Sequence, residues 1–332
     1  MVGMWIYHMA KFTYSFGIIL LGLALGYGIQ VLYRRRIISL PIAIDDLRKL
    51  LQKTALLFVN PVAIMGAIWV VNIQDIKIAT LPFIGLFALL LGGVLALGFA
   101  RVIKLPPYQT GAMYGCGSFT NIGSIGALIC FVYLGETGFA LVPIYKIFEE
   151  LSYYAIGFPI ARYYSDTEQE ETPLSRIKNM GRDPFIIVAL SSIIMGGFFN
   201  AANIDRPLIL GTIVSLFVPL GTILLLTSIG LAMRFRRVRD YLKVCISISV
   251  IKFLLVPLLT FSLAYLIGLG EMDNGLPLKV VLILSSMPVA FNALIPPSIY
   301  DLDLDLANSC WFFTTALLAI VLPVLLYIIN LF

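Results

Sequence analysis

Polar side chains that could bind a small anion lie in two otherwise apolar stretches of the chain. Asn121 and Asn292 stand near the middle of these stretches, 171 positions apart. An amide in an apolar environment is costly without a hydrogen-bond partner, so the two asparagines favour one polar site over helix packing. Hydroxyl groups beside them would add donors and acceptors to that site: Ser118, Thr120, Ser124, Ser285 and Ser286.

Helix-breaking residues accompany both asparagines. Gly117 and Gly123 flank the first, and Pro288 precedes the second. Broken helices persist where their freed backbone groups line a cavity, and the helix ends then direct their dipoles at a substrate or ion. We therefore predict a helix crossover at these three residues. The two glycines are equally compatible with close packing of helices.

Three ionisable residues, Lys146, Glu149 and Glu150, lie near the centre of another apolar stretch. Their spacing of three and four residues places the lysine and both carboxylates on one helix face. One hypothesis is a proton-carrying role for either glutamate, and the alternative is a structural ion pair between the lysine and one of them. Lys252 is expected either to extend to a membrane surface or to pair with a remaining carboxylate.

Several other types of chemistry lack their residues. The chain has one histidine, His8, and no cysteine pair at metal-binding spacing, which argues against histidine-based catalysis and zinc chemistry. The acidic run at 301–305 is expected to begin a helix rather than to hold a cation. No catalytic residue, metal or cofactor is predicted. The cysteines are expected to be buried thiols: Cys116, Cys130, Cys245 and Cys310.

The composition indicates that membrane helices position these residues. Of the 332 residues, 60% are apolar and 12% are charged, and the mean hydropathy is +0.98. These values exclude both an ordinary soluble domain and a disordered chain. Long apolar runs without alternation predict helices rather than barrel strands. The ten predicted spans are 12–33, 54–71, 80–100, 110–134, 138–160, 184–203, 208–232, 241–268, 277–297 and 305–331.

The basic residues of the loops predict an orientation. Loops on one side carry 17 Lys and Arg residues, and loops on the other side carry four. Because basic loops are retained in the cytoplasm, we expect a multi-pass protein of the cell membrane with both termini on the non-cytoplasmic side. The net charge of +5 then reflects contact with membrane lipids rather than with nucleic acid.

The longest polar break divides the predicted spans into two groups of five. The halves are 1–160 and 184–332, joined by a cytoplasmic loop at 161–183. An odd number of spans in each half forces the second half to be inverted in the membrane, as in many secondary transporters. The equal offset of 171 between the half starts and between the two asparagines is consistent with a repeat.

The order and spacing of several stretches resemble the auxin efflux carrier family, the bacterial and archaeal relatives of the plant PIN auxin transporters. The stretches that carry the resemblance are SFTNIGSIGALICFVYLGETGFALVPIYKIFEELSYYAIG, RDPFIIVALSSIIMGGFFN, FVPLGTILLLTSIGLAM, IKFLLVPLLT and SSMPVAFNALIPPSIYDLDLDLANSCWFFTTALLAIVLPVLL.

The resemblance implies an all-α membrane fold of ten helices in two inverted five-helix repeats. Broken helices four and nine would cross, as in sodium/proton antiporters and bile acid symporters. It also implies a carrier of small organic anions, such as auxin-like acids or dicarboxylates, that works by elevator-type alternating access. The family's crossover asparagine corresponds to Asn121. Plant members commonly have proline at both crossovers, whereas span four has glycine here.

Several alternatives stay open at the level of sequence. The coupling ion is a proton, sodium or neither, and a sodium-coupled carrier similar to the bile acid symporters is the nearest rival. A membrane enzyme such as a prenyltransferase would need two acidic metal motifs facing one aqueous side. Here DLDLD at 301–305 stands alone, and IDDLRK has no second carboxylate pair nearby. A sensor would usually carry a soluble domain larger than the longest loop. The oligomeric state is also open, a homodimer included.

Overall fold

A computed structural model describes residues 2–71, 76–165, 184–233 and 238–331, and these are predominantly helical. The helices are α1 (Val2–Arg34), α2 (Ile44–Ile68), α3 (Leu81–Val102), α4 (Pro107–Ser118), α5 (Ala127–Tyr145), α6 (Glu149–Ser152), α7 (Phe158–Tyr163), α8 (Pro184–Ala201), α9 (Leu208–Gly230), α10 (Leu242–Leu266), α11 (Leu276–Ser285), α12 (Ile295–Ile299) and α13 (Leu304–Ile329).

Eight helices in the described part of the chain are long and apolar enough to cross a membrane, as expected of a multi-pass membrane protein. Ten spans were predicted. The two numbers differ because predicted spans four and nine, in which helix breaks were expected, are not continuous helices of membrane-spanning length. Helix α4 has 12 residues and α11 has 10, against the roughly 20 that cross a bilayer. The breaks within predicted spans four and nine are therefore present, and the ten-span repeat remains a prediction.

The second part of predicted span four and the whole of predicted span five form one helical run, Ile122–Tyr163. The run turns at Gly135, where φ is 78° and ψ is −168°. Residues other than glycine rarely adopt a positive φ of this kind, because their Cβ collides with the backbone. Gly135 therefore allows the chain to change direction at the boundary expected between the two spans.

Three helical segments widen into a π-helical turn just before a proline. A proline has no N–H group and its ring collides with the carbonyl four residues earlier, so the preceding turn loses its regular hydrogen bonds. Tyr153 and Lys252 lie in two of these widened turns. The turns and their prolines are Ala55–Val59 with Pro61, Tyr153–Gly157 with Pro159, and Ile251–Leu255 with Pro257.

Two compact units form from segments that alternate along the chain. These units are defined by contacts between residues. The predicted halves 1–160 and 184–332 are defined by an internal sequence repeat, so the units do not test them and the halves remain a prediction. Within the predicted linker, residues 166–183 lie outside the described residues. Unit 1 draws on Met1–Ile73, Ser124–Pro143 and Arg182–Met233, and unit 2 on Gln74–Gly123, Ile144–Gly181 and Arg234–Phe332.

Unit 1 is held together by close packing of two helices and by hydrogen bonds from two polar side chains, Gln30 and Arg206. Helix α1 packs against α9 so closely at Gly26 that an added Cβ would overlap the backbone of α9. The Gln30 amide donates a hydrogen bond of 2.6 Å to the carbonyl of Leu231. Arg206 pairs with Glu136 and donates 2.9 Å to the carbonyl of Gly66. Such partners offset the cost of burying polar groups among apolar helices.

Unit 2 contains α3, α4, α6 and α7 together with the helices from α10 onward, and it includes both helix breaks. Its most deeply buried large side chains include Trp311, Tyr145 and Phe119. Apolar side chains on the outside of its helices remain exposed, among them Leu258 at 57% and Leu266 at 81%. Exposed apolar stripes of this kind are costly in water and favourable against lipid.

Candidate functional site

The two helix breaks of unit 2 meet and satisfy each other's backbone groups. The N–H of Asn121 donates to the carbonyl of Pro288 at 2.9 Å, and the N–H of Ala290 donates to the carbonyl of Phe119 at 3.0 Å. Between these bonds lies an isolated antiparallel bridge. Backbone groups freed from a helix need partners in an apolar environment, and here each break supplies them to the other.

The bridge joins Thr120 to Val289, and helix α13 supports it from the side. The Val289 N–H donates to the hydroxyl of Thr314 at 3.2 Å. That hydroxyl in turn donates to the carbonyl of Cys310 at 2.8 Å. Sequence reasoning missed Thr314 because a threonine within an apolar helix usually bonds only its own helix.

Lys252 lies beside the bridge and is 1% exposed. Its ammonium donates a hydrogen bond of 2.6 Å to the hydroxyl of Thr120. The side chain therefore does not extend to a surface. Its hydrogen-bond partner is a hydroxyl of the break, and the Glu149 carboxylate is an electrostatic neighbour. A buried lysine bonded to a neutral hydroxyl is an unusual arrangement, because ionisable groups in membrane segments normally pair directly with the opposite charge.

The predicted cluster of span five contains an ion pair. The Lys146 ammonium is 3.0 Å from one carboxylate oxygen of Glu149, and the hydroxyl of Tyr153 donates to the other oxygen at 2.7 Å. Glu149 is buried, whereas the side chain of Lys146 is 34% exposed. Glu150 is half-buried on the same turn. The ion pair between the lysine and one glutamate, which was the structural alternative, is therefore present. The proton-carrying role of either glutamate remains a prediction.

Two contacts connect this ion pair to the helix breaks. The ring of Phe119, the first residue of the first break, stacks on Tyr153 with centroids 3.9 Å apart. A Cβ added to Gly123 would lie 3.0 Å from the Lys146 ammonium, so that cation rests against the backbone just after the break. We call the combined set the crossing site: Thr120, Asn121, Lys146, Glu149, Tyr153 and Lys252.

The two predicted asparagines lie in different environments. Asn121 is 6% exposed and forms part of the bridged break. Asn292 is exposed, in the short 3₁₀ turn Phe291–Leu294 that follows the second break. Their proposed convergence on one ligand remains a prediction.

The predicted serines are all buried, but they divide between the two units. Ser118 ends α4, and Ser285 and Ser286 lie at the end of α11, so these three adjoin the breaks. The Ser285 hydroxyl donates to the carbonyl of Leu282 at 3.3 Å. Ser124 belongs to unit 1, where its carbonyl accepts a hydrogen bond of 3.4 Å from Thr222.

The two crossover glycines have different surroundings. An added Cβ at Gly117 would overlap Ala96 and the backbone of Gly92, so Gly117 permits α3 and α4 to touch. Gly123 instead lies in the π-helical turn Ile122–Gly126, directly after the break, and faces Lys146. Close packing therefore accounts for Gly117, and the irregular backbone with its neighbouring cation accounts for Gly123.

The acidic run at 301–305 begins a helix, as predicted. The Asp303 carboxylate caps α13 by accepting the N–H of Leu306 at 2.9 Å. Gln109 and Tyr241 each donate to the same carboxylate at 2.9 Å. Asp303 thus offsets the positive end of the helix dipole and fastens neighbouring segments of unit 2. Across the described ranges, no group of three or more His, Cys, Asp or Glu is placed to hold a metal.

All four cysteines are buried free thiols. The sulfur atoms of Cys245 and Cys310 lie 3.9 Å apart, although these residues are 65 positions apart in sequence. Helices α10 and α13 bring the two together, which their spacing could not indicate.

Two archaeal proteins are similar to this chain over most of its length. One, named as an uncharacterized transporter of Methanocaldococcus jannaschii, is 28% identical over 236 residues, covering 70% of this chain and 70% of the relative. The other, an uncharacterized transporter of Methanothermobacter thermautotrophicus, is 27% identical over 243 residues, covering 73% and 76%. No protein-family model matches the chain.

Proposed function

We propose that this chain is a secondary transporter that carries a small organic anion through the crossing site. The observation that carries the proposal is Lys252, a buried ammonium bonded to Thr120 within a pair of touching helix breaks. In its protonated form this amino group would attract a carboxylate strongly, because little water screens a charge in an apolar setting. The names of the two archaeal relatives support the transport class.

The substrate's carboxylate would lie between the two lysines and the backbone after Asn121. The helical run that starts at Ile122 directs its first N–H groups toward the break, and such helix ends favour anions. The Asn121 side chain would add a hydrogen bond. The resemblance to auxin efflux carriers favours auxin-like acids or dicarboxylates and an elevator-type movement, and these finer assignments belong to the proposal.

Transport in liposomes tests the proposal. We expect the purified full chain to move indole-3-acetate or malonate across the bilayer faster than protein-free liposomes do. The neutral analogue indole-3-acetamide should not compete, because it lacks the charge that the lysines attract. Imposed pH, sodium and voltage gradients would then identify the coupling ion, and sodium dependence would favour the bile acid symporter-like alternative. Failure of both acids to move under every gradient would contradict the proposal.

The sidedness of the loops is part of the same proposal and has its own test. The four native cysteines are buried, so single introduced cysteines can be labelled against a low background. We expect an impermeant maleimide to label Asp205→Cys on intact cells but Arg239→Cys only after permeabilisation. Both positions are exposed, and the 17-to-four distribution of basic residues places them on opposite sides. The reverse labelling pattern would overturn the orientation.

A further inference from the structure

We infer that Glu149 competes with the substrate for Lys146: its carboxylate pairs with the Lys146 ammonium, and an incoming organic anion displaces it. The inference deepens the proposed function and rests on it. It assigns separate roles to the two lysines of the site, and it assigns Glu149 to regulation of affinity rather than to substrate binding.

Accessibility distinguishes the two lysines. Lys252 is 1% exposed and already bonded to Thr120, so its amino group is an interior group that solvent does not reach. Lys146 is 34% exposed and rests against Gly123, immediately after the first break. An anion that enters the site can therefore reach the Lys146 ammonium directly. The long, flexible lysine side chain can follow that anion without movement of the helix.

The group that pairs with Lys146 is chemically similar to the proposed substrate, since both are carboxylates. One carboxylate oxygen of Glu149 lies 3.0 Å from the ammonium, the distance expected of a lysine bound to an organic acid. Breaking a largely buried ion pair is costly unless another opposite charge takes the vacated place. A carboxylate substrate supplies that charge, whereas a neutral analogue does not. Exchange of partners thus favours anions over neutral molecules of the same shape.

The Glu149 carboxylate keeps a hydrogen-bond partner after its ion pair with Lys146 is broken. Its second oxygen accepts the hydrogen bond of 2.7 Å from Tyr153, whose ring stacks on Phe119. When Lys146 leaves, this hydrogen bond remains and keeps the Glu149 carboxylate partnered. Tyr153 is therefore a positioning residue: it aims the carboxylate at Lys146 and keeps it partnered afterwards.

The consequence is an affinity below the one that the two lysines alone would provide. A carboxylate tethered next to its cation competes at a high effective concentration. We expect Glu149→Gln to lower the dissociation constant for indole-3-acetate or malonate about ten-fold. Tyr153→Phe keeps every charge but loosens the carboxylate, and it should lower the dissociation constant about three-fold.

The experiment measures the dissociation constants of both acids by calorimetry on the purified full chain. The variants are wild type, Glu149→Gln, Tyr153→Phe, Lys146→Gln and the double variant Lys146→Gln with Glu149→Gln. Glu271→Gln is the matched control, since it removes the same charge from an exposed residue of unit 2 that pairs with Lys77 at 3.8 Å. Melting temperatures are recorded for each variant.

Tighter binding by Glu149→Gln that disappears in the double variant, with no gain for Glu271→Gln, supports the inference. Equal or weaker binding by Glu149→Gln overturns it and leaves the proposed function standing. If Glu149→Gln does not fold, the dissociation constant of Tyr153→Phe is the test: tighter binding than wild type supports the inference, and equal or weaker binding overturns it. If neither wild type nor any variant that retains Lys146 binds either acid, the proposed function itself fails and the inference fails with it. Binding by Glu149→Gln alone supports the inference in its strongest form.

Discussion

Replacing Lys252 with methionine is expected to reduce transport roughly ten- to hundred-fold while leaving the melting temperature unchanged or raised. The ammonium is buried and bonded to Thr120. Loss of a hydrogen bond to a charged group removes about 1.5–3 kcal/mol, and about 1.4 kcal/mol corresponds to a factor of ten in affinity. Stability should not fall in parallel, because an apolar side chain of similar volume avoids the desolvation cost of the buried ion.

The control for this prediction is Thr120→Val. That variant keeps the ammonium but removes its hydroxyl acceptor, so we expect a lower melting temperature. Initial rates of acid uptake into liposomes and thermal unfolding in detergent provide the two measurements. If Lys252→Met lowers the melting temperature and leaves uptake unchanged, the lysine is a structural support of the bridge rather than part of a binding site.

Asn121→Ala is expected to weaken binding of the transported acid roughly ten- to hundred-fold. The Asn121 backbone N–H bonds to Pro288 whatever the side chain is, so the bridged break should persist in the variant. The substitution then removes only the side-chain amide, whose bond to a carboxylate is worth about 1.5–3 kcal/mol. Stability should fall less than affinity, because the backbone hydrogen bonds that hold the bridged break do not involve the Asn121 side chain.

Asn292→Ala is the matched comparison. Its side chain is exposed, so water competes for its hydrogen bonds in the free protein, and we expect a smaller loss of affinity than for Asn121→Ala. Calorimetry with indole-3-acetate or malonate and a thermal melt of each variant check both expectations. An unchanged affinity with a lower melting temperature for Asn121→Ala would assign that asparagine to helix packing.

Sequence patterns were most informative about the helix breaks. Glycine and proline near two mid-span asparagines predicted interruptions, and the structure interrupts both segments there. Both residue types act locally: proline has no N–H group, and glycine has no Cβ, which lets Gly117 touch α3 and Gly123 lie against Lys146. The charges of span five were local as well: Lys146 and Glu149 lie three residues apart, and their ion pair follows from helical spacing. Tyr153, four residues after Glu149, could have been found by the same rule.

Long-range partners could not be derived in this way. Nothing in the spacing of Thr120 and Lys252, which are 132 positions apart, indicated that a hydroxyl of one break would bind the ammonium. The stacking of Phe119 on Tyr153 and the support from Thr314 depend in the same manner on how separate helices pack. Apolar helices in lipid have many similar ways to associate, because hydrophobicity alone does not select among them.

The amino-acid sequence by itself determined the apolar membrane helices, the two places where helices must break, and the presence of lysines and carboxylates within the spans. Each of these follows from the composition or local backbone chemistry of a short stretch. The tertiary structure alone decided that the two breaks bridge each other, that Lys252 is buried against Thr120 while Lys146 stays accessible, and that Asn121 and Asn292 differ in exposure. These outcomes depend on which helix faces touch, and contact between faces far apart in the chain is a property of packing rather than of any segment.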